Sequence, residues 1–147
     1  MASMTDYLEN KVVDWLFRGV AFTPPTTWYV GLLTAAPSDS AGGTEVSGGS
    51  YARVGLAAST ANWAATNGAG TTTNPSSGTG GTTSNNSVLT FPAPTANWGV
   101  VTHLGLYDAS TAGNLCFQVA LTTSKTINNG DAAPSFAAGA LTAQIDN

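Results

Sequence analysis

Residues Trp98–Leu121, WGVVTHLGLYDASTAGNLCFQVAL, limit what this chain can fold into more than any other stretch. Two runs of alternating apolar residues flank a turn at Asp108–Asn114. Val100, Leu104 and Leu106 share one parity, and Leu115, Phe117, Val119 and Leu121 share one parity of the return. A period of two marks an antiparallel hairpin with one buried face. The turn is rich in Asp, Ser, Thr, Gly and Asn, which accept positive φ or bond their own backbone. The opposite face holds Val101, His103, Gly105, Tyr107, Cys116, Gln118 and Ala120. It is neither charged nor plainly hydrophobic. It reads as a surface covered by the N-terminal helix or by another subunit, and the helix is the preferred cover.

Other runs extend the sheet. Trp28–Thr34 (WYVGLLT), Tyr51–Ala57 (YARVGLA) and Val88–Phe91 read as strands. Lys125–Ile127 reads as a short separate strand, Asn128–Asp131 as a turn, and Pro134–Ile145 as a last pair of short strands. About eight short strands at this spacing predict an all-β fold: an antiparallel, jelly-roll-like β-sandwich with one N-terminal α-helix. The 147 residues make one domain, 1–147, large enough to bury roughly 70% of its unfolded surface without disulfide or metal.

The helix is expected over 5–18. Asp6 reads as N-cap with Glu9 three residues on, and Gly19 as the stop. Leu8, Val12, Trp15 and Leu16 form a stripe, and Tyr7, Val13 and Phe17 add apolar bulk beside it. So wide an apolar surface needs cover on more than one side. Packing on the chain's own sheet comes first, and docking of part of it on a partner second.

Residues 64–87, AATNGAGTTTNPSSGTGGTTSNNS, carry no charge and no large apolar side chain. They are expected to form a long polar projecting loop with no part in the core. Deleting 67–85 is accordingly expected to leave the fold intact. Just before this stretch lies Thr60-Ala61-Asn62-Trp63, which recurs as Thr95-Ala96-Asn97-Trp98. Four matching residues do not make a repeat protein. The two corners read as equivalent positions, each Trp closing one end of the core. The alternative is that Trp63 and Trp98 are open rings that stack on glycans.

Charge and reactive groups narrow the function. Only 8% of residues are charged, against about 25% in ordinary soluble domains. Four basic residues, Lys11, Arg18, Arg53 and Lys125, lie scattered among eight acidic ones, for a net charge of −4. Nucleic acid and anionic membranes both need clustered cations, so neither is an expected partner. No apolar run reaches the ~18 residues of a membrane span. The first ten residues lack the basic and apolar regions of a secretory signal, so synthesis in a cytoplasm without processing is expected. Cys116 is the only cysteine and His103 the only histidine. Both lie off the hairpin's core phase, so a pair is possible, but no third group or oxyanion-hole motif accompanies them. Metal-ligand spacing, a calcium loop and a phosphate loop are missing. No catalytic residue, cofactor or metal is therefore expected.

Five blocks carry a family resemblance: DYLENKVVDWLF (Asp6–Phe17), TTWYVGLLTAAP (Thr26–Pro37), EVSGGSYARV (Glu45–Val54), WGVVTHLGLYDASTAGNL (Trp98–Leu115) and SFAAGAL (Ser135–Leu141). They resemble small virion structural proteins of tailed bacteriophages, often labelled tail fibre or tail proteins. Some of these resemble the cement, or decoration, proteins that clamp the outside of the head as jelly-roll dimers. The resemblance implies a non-enzymatic virion component. Capsid cement bridging the major capsid protein as a homo-oligomer, a dimer for choice, is the first expectation. A tail or tail-fibre component binding host glycans is the alternative. Trp15, Glu45, Tyr51, Arg53, His103 and Tyr107 are the expected partner-interface residues.

Overall fold

The structure is a computed structural model, and it describes residues 3–40, 42–72 and 75–145. Among these, one helix and ten strands are present, and every strand pair is antiparallel. The all-β class with a helix near the N-terminus is as the sequence predicts.

The hairpin forms the centre. Strands β7 (Gly99–Tyr107) and β8 (Leu115–Ile127) pair along their length, and β2 (Thr27–Ala35) pairs with the other edge of β7. Beyond β8 lies β1 (Ser3–Met4). Beyond β2 lie β3 (Thr44–Glu45) and β4 (Val54–Ala57), completing a six-stranded sheet. Two ribbons stand apart from this sheet: β5 (Thr82–Ser84) with β10 (Thr142–Gln144), and β6 (Leu89–Thr90) with β9 (Ser135–Phe136). The core brings together Val30, Leu32, Leu104, Leu106 and Phe117 from the sheet with Leu89, Phe91, Leu141 and Ala143 from the ribbon regions. The second layer is therefore two short ribbons and their connections, where a jelly roll would place a second four-stranded sheet.

The turn of the hairpin closes through side chains. Asp108 accepts from the Asn114 amide at 2.7 Å through Oδ1 and from the Asn114 side chain at 2.7 Å through Oδ2. Leu104 faces Val119 and Leu106 faces Phe117, as the alternation predicts. Val100 does not join them. The register shifts between Val101 and His103, and this bulge reverses the parity of the strand. Val101 takes the core position at 1% exposure, while Val100 stays 47% exposed. Lys125–Ile127 is the continuation of β8 and not a separate strand.

The helix, α1 (Asp6–Phe17), differs from expectation at both ends of its stripe. Thr5, not Asp6, is the N-cap, and its side chain makes no capping bond. The Thr5 hydroxyl is buried and donates instead to the Leu115 carbonyl at 2.6 Å, which ties the helix start to β8. Gly19, at φ +70°, ends the helix, and the Val20 amide turns back to the Asp14 carbonyl at 3.1 Å. Leu8 is buried and Val12 half-buried, but Trp15, Leu16 and Phe17 are 56%, 57% and 82% exposed. Only the first half of the stripe packs on the chain's own sheet.

Residues 64–87 are not one projecting loop. Ala64, Ala65, Ser84 and Asn85 are buried, and 82–84 form β5. Asn85 carries this packing. Its side-chain amide donates to Ser87 and Ala137 carbonyls at 2.8 and 2.9 Å, and its Oδ1 accepts from the Leu141 amide at 2.9 Å. A short polar side chain with both donor hydrogens and its acceptor oxygen engaged can be buried without an apolar residue beside it in sequence.

Candidate functional site

Four of the expected interface residues meet in one cluster, and it is a clamp inside the fold. Between the end of the β4 ladder at Val30 and the start of the β3 ladder at Leu33, the Leu32 amide has no strand partner on that side of β2. Tyr51 fills the gap. Its hydroxyl accepts from the Leu32 amide at 2.9 Å and donates to Glu45 Oε1 at 2.7 Å. Arg53 donates to the same carboxylate twice, from Nε to Oε1 at 2.8 Å and from Nη2 to Oε2 at 2.7 Å. This two-pronged geometry is what a guanidinium offers and an ammonium does not. Arg53 Nη1 continues to the Ala109 and Ala112 carbonyls at 2.7 and 2.8 Å, so the clamp reaches the turn between β7 and β8.

Tyr107 lies beneath. The Arg53 guanidinium sits 3.4 Å from the centre of its ring. The ring rests on two glycines that face each other across β2 and β7, Gly31 and Gly105. A Cβ on either would stand 2.9 or 2.8 Å from Tyr107 Cε2. Burial pushes the Tyr107 hydroxyl up to about 12, with the Glu45 charge adding to it. Burial also raises Tyr51 strongly, and its bond to Glu45 acts in the same direction. Burial alone would lower Arg53, but its bonds to Glu45 outweigh that and its value is raised. Both tyrosines and the arginine thus hold their protons more tightly than free side chains do.

The remaining expected residues stand elsewhere. His103 is half-buried in β7, opposite Ala120, with Nδ1 2.8 Å from the Thr102 hydroxyl. Cys116 is buried at the irregularity beside Leu106 and Tyr107, far along the ladder from His103, so the two do not pair. Burial, with the Asp108 charge, pushes the Cys116 thiol up to about 12, which keeps it protonated and unreactive. Trp15 is exposed on the helix.

The two TANW corners both point a ring inward, but to different effect. Trp98 is 5% exposed, packs edge-on against Tyr51, and donates its indole N–H to the Gly49 carbonyl at 3.0 Å. It leaves no open face for a glycan. Gly49 sits at φ +56° in the corner before Tyr51, where a Cβ would stand 2.8 Å from Ala96 Cβ. The Gly-Gly-Ser corner thus exists to meet the second TANW corner. Trp63 is half-buried and forms part of the wall of a cleft of about 600 Å³ with Trp28, Phe117, Leu106, Ala143 and Ile145. Sequence reading found Trp63 but not the cleft, because the opposing walls come from strands more than fifty residues downstream in β8 and β10.

The family described as Podophage GP4 fiber I protein gp80 matches residues 3–144. The chain belongs to this family. No curated protein matches it. This fibre family is one of phage virion structural proteins, as the five sequence blocks imply. The match runs through the clamp, both TANW corners and residues 64–87.

Proposed function

We propose that the chain is a structural subunit of a phage fibre, working by the place it holds in the assembly and not by chemistry. The observation that carries this reading is the fibre-family match across nearly all of the chain. The local chemistry agrees with it. Glu45, Tyr51 and Arg53 are consumed in holding the sheet together, and Cys116 is locked as a thiol. The contact with a neighbouring virion protein runs through the second half of the helix, where Trp15, Leu16 and Phe17 leave apolar area that a free surface helix ordinarily lacks.

A second reading is capsid cement, in which a dimer on the outer surface of the head bridges major capsid protein subunits. The compact sheet-and-ribbon build favours it, since nothing among the described residues extends into a shaft. Such a protein would stabilise the shell by binding it and not its dissociated parts, and a dimer gains from engaging two places at once. Quantitative mass spectrometry of whole virions and of tail-free heads separates the two. A few copies per particle, lost with the tail, is the expected result. Many copies retained on tail-free heads would overturn the fibre assignment and establish cement.

A further inference from the structure

Helix α1 carries two apolar stripes, and the fold uses one of them. Leu8 and Val12 pack against the core. Val13, Leu16 and Phe17, spaced i, i+3 and i+4, share the side turned away from it, at 48%, 57% and 82% exposure. Val20 follows beyond the Gly19 turn and is 49% exposed. The backbone at this end of the helix is open as well. The Asp14 carbonyl accepts from the Arg18 and Val20 amides, but among the described residues the carbonyls of Trp15, Leu16 and Phe17 accept nothing. These are the orphan acceptors of a helix C-terminus, and they carry its partial negative charge.

The cleft of about 600 Å³ has the opposite shape and the same polarity. Trp28, Leu106, Phe117, Ala143 and Ile145 give it apolar walls, and Ile145 is itself 68% exposed. Among the described residues no charged side chain lines it, so no carboxylate repels the negative end of a helix. Its lining also offers hydroxyl donors. Ser59 Oγ accepts from the Asn62 amide at 3.3 Å and keeps its proton to give. The Thr60 hydroxyl has no partner among the described residues. The chain's own helix does not fill the cleft, because none of its residues lines it.

We propose that the C-terminal half of α1 from one copy of the chain docks in this cleft of a second copy, head to tail. This contact rests on the reading that the exposed helix end is a contact surface, and it names the partner as the same chain. An apolar stripe at i, i+3 and i+4 laid in an apolar groove is a recurrent mode of helix recognition. Val13, Leu16, Phe17 and Val20, with Trp15 at their flank, leave on the order of 500 Å² uncovered. An equal area covered on the second copy makes a contact on the order of 1,000 Å², the lower end for a specific interface. Two such stripes paired with each other would leave the three carbonyls without donors and the cleft empty. In the head-to-tail contact the hydroxyls of Ser59 and Thr60 lie on the surface that receives the carbonyl end. Each copy gives a helix to one neighbour and receives a helix from another, so the contact repeats from copy to copy.

Sedimentation velocity of the purified chain over a wide concentration range tests this, with two variants at exposed positions. Phe17→Ser spoils the helix stripe and keeps the cleft, while Ala58→Arg spoils the rim of the cleft and keeps the helix. Leu16→Ser and Ile145→Asp, also at exposed positions, are the second variants of helix and cleft. The parent is expected to self-associate, and each variant alone to do so at least about tenfold more weakly, with its melting temperature unchanged. An equimolar mixture of Phe17→Ser and Ala58→Arg is expected to associate again and to stop at the 1:1 dimer, because one intact helix meets one intact cleft. The proposal is overturned if the parent stays monomeric throughout, if the helix variants or the cleft variants associate as well as the parent, or if the mixture associates no better than its components. Exclusion of Phe17→Ser from virions beside a monomeric parent would keep the helix end as a contact surface and overturn the second copy as its partner.

Discussion

Glu45 accepts three hydrogen bonds from two side chains, and the side chain of its partner Arg53 is only 7% exposed. Removing the carboxylate strands a guanidinium that has lost its water. Glu45→Ala should therefore cost ~3–5 kcal/mol, well above the ~1 kcal/mol or less of a surface pair. The exposed pair of Arg18 with Asp14 on the helix provides the contrast, and Arg18→Ala should cost less than ~1 kcal/mol. Chemical denaturation of the two variants checks both values. Asn85 is a second such residue. Asn85→Ala leaves the Leu141 amide and the Ser87 carbonyl without partners, takes one of two donors from the Ala137 carbonyl, and should cost ~3 kcal/mol. Neither role is visible in the residue type alone. Glu45 and Arg53 are eight apart with glycines between them, and only the fold shows that the Gly-Gly-Ser corner turns the chain so that they meet.

At the level of elements, what is local in the sequence is legible and what depends on remote partners is not. The hairpin, its turn and the strand over 27–35 follow from alternation and turn chemistry. The bulge that swaps Val100 for Val101 leaves no mark in the pattern, because both residues are valine. β5 is invisible because Thr82–Ser84 has no apolar signal of its own; its partner β10 and the Asn85 bonds give it a place. Deleting 67–85 should for this reason unfold the protein or lower its melting temperature sharply, against the expectation for a free loop. The helix shows the opposite case. Its stripe is real, but only the start is used. Leu8→Ala should cost ~2–5 kcal/mol, while Phe17→Ser should change stability by no more than ~0.5 kcal/mol and lower incorporation into virions. Circular dichroism melts and virion composition measure the two effects separately.

For the whole molecule, stability should fall on the alkaline side. Tyr51, Tyr107 and Cys116 all have values raised in the folded state above their ordinary values of 10.0, 10.0 and 9.0. The folded chain therefore holds protons that the unfolded chain gives up. Their contribution is complete below about pH 9 and is lost as pH rises toward 12. Melting temperature should stay level from pH 7 to about 8.5 and fall steeply above, and Tyr107→Phe should make the fall shallower.

The borders of the sheet have a consequence for a chain that works packed among other proteins. On the β2 side the border is two offset strands of two and four residues, with the Tyr51 hydroxyl occupying the amide between them. On the other side, among the described residues, β1 pairs with Phe117 and Gln118, and β8 runs on through an irregular stretch to Lys125. Short strands, a break in register and a lysine are poor templates for a further strand. Two copies pressed together have no straight ribbon of backbone to extend, so edge-to-edge polymerisation into fibrils is discouraged at both ends of the sheet.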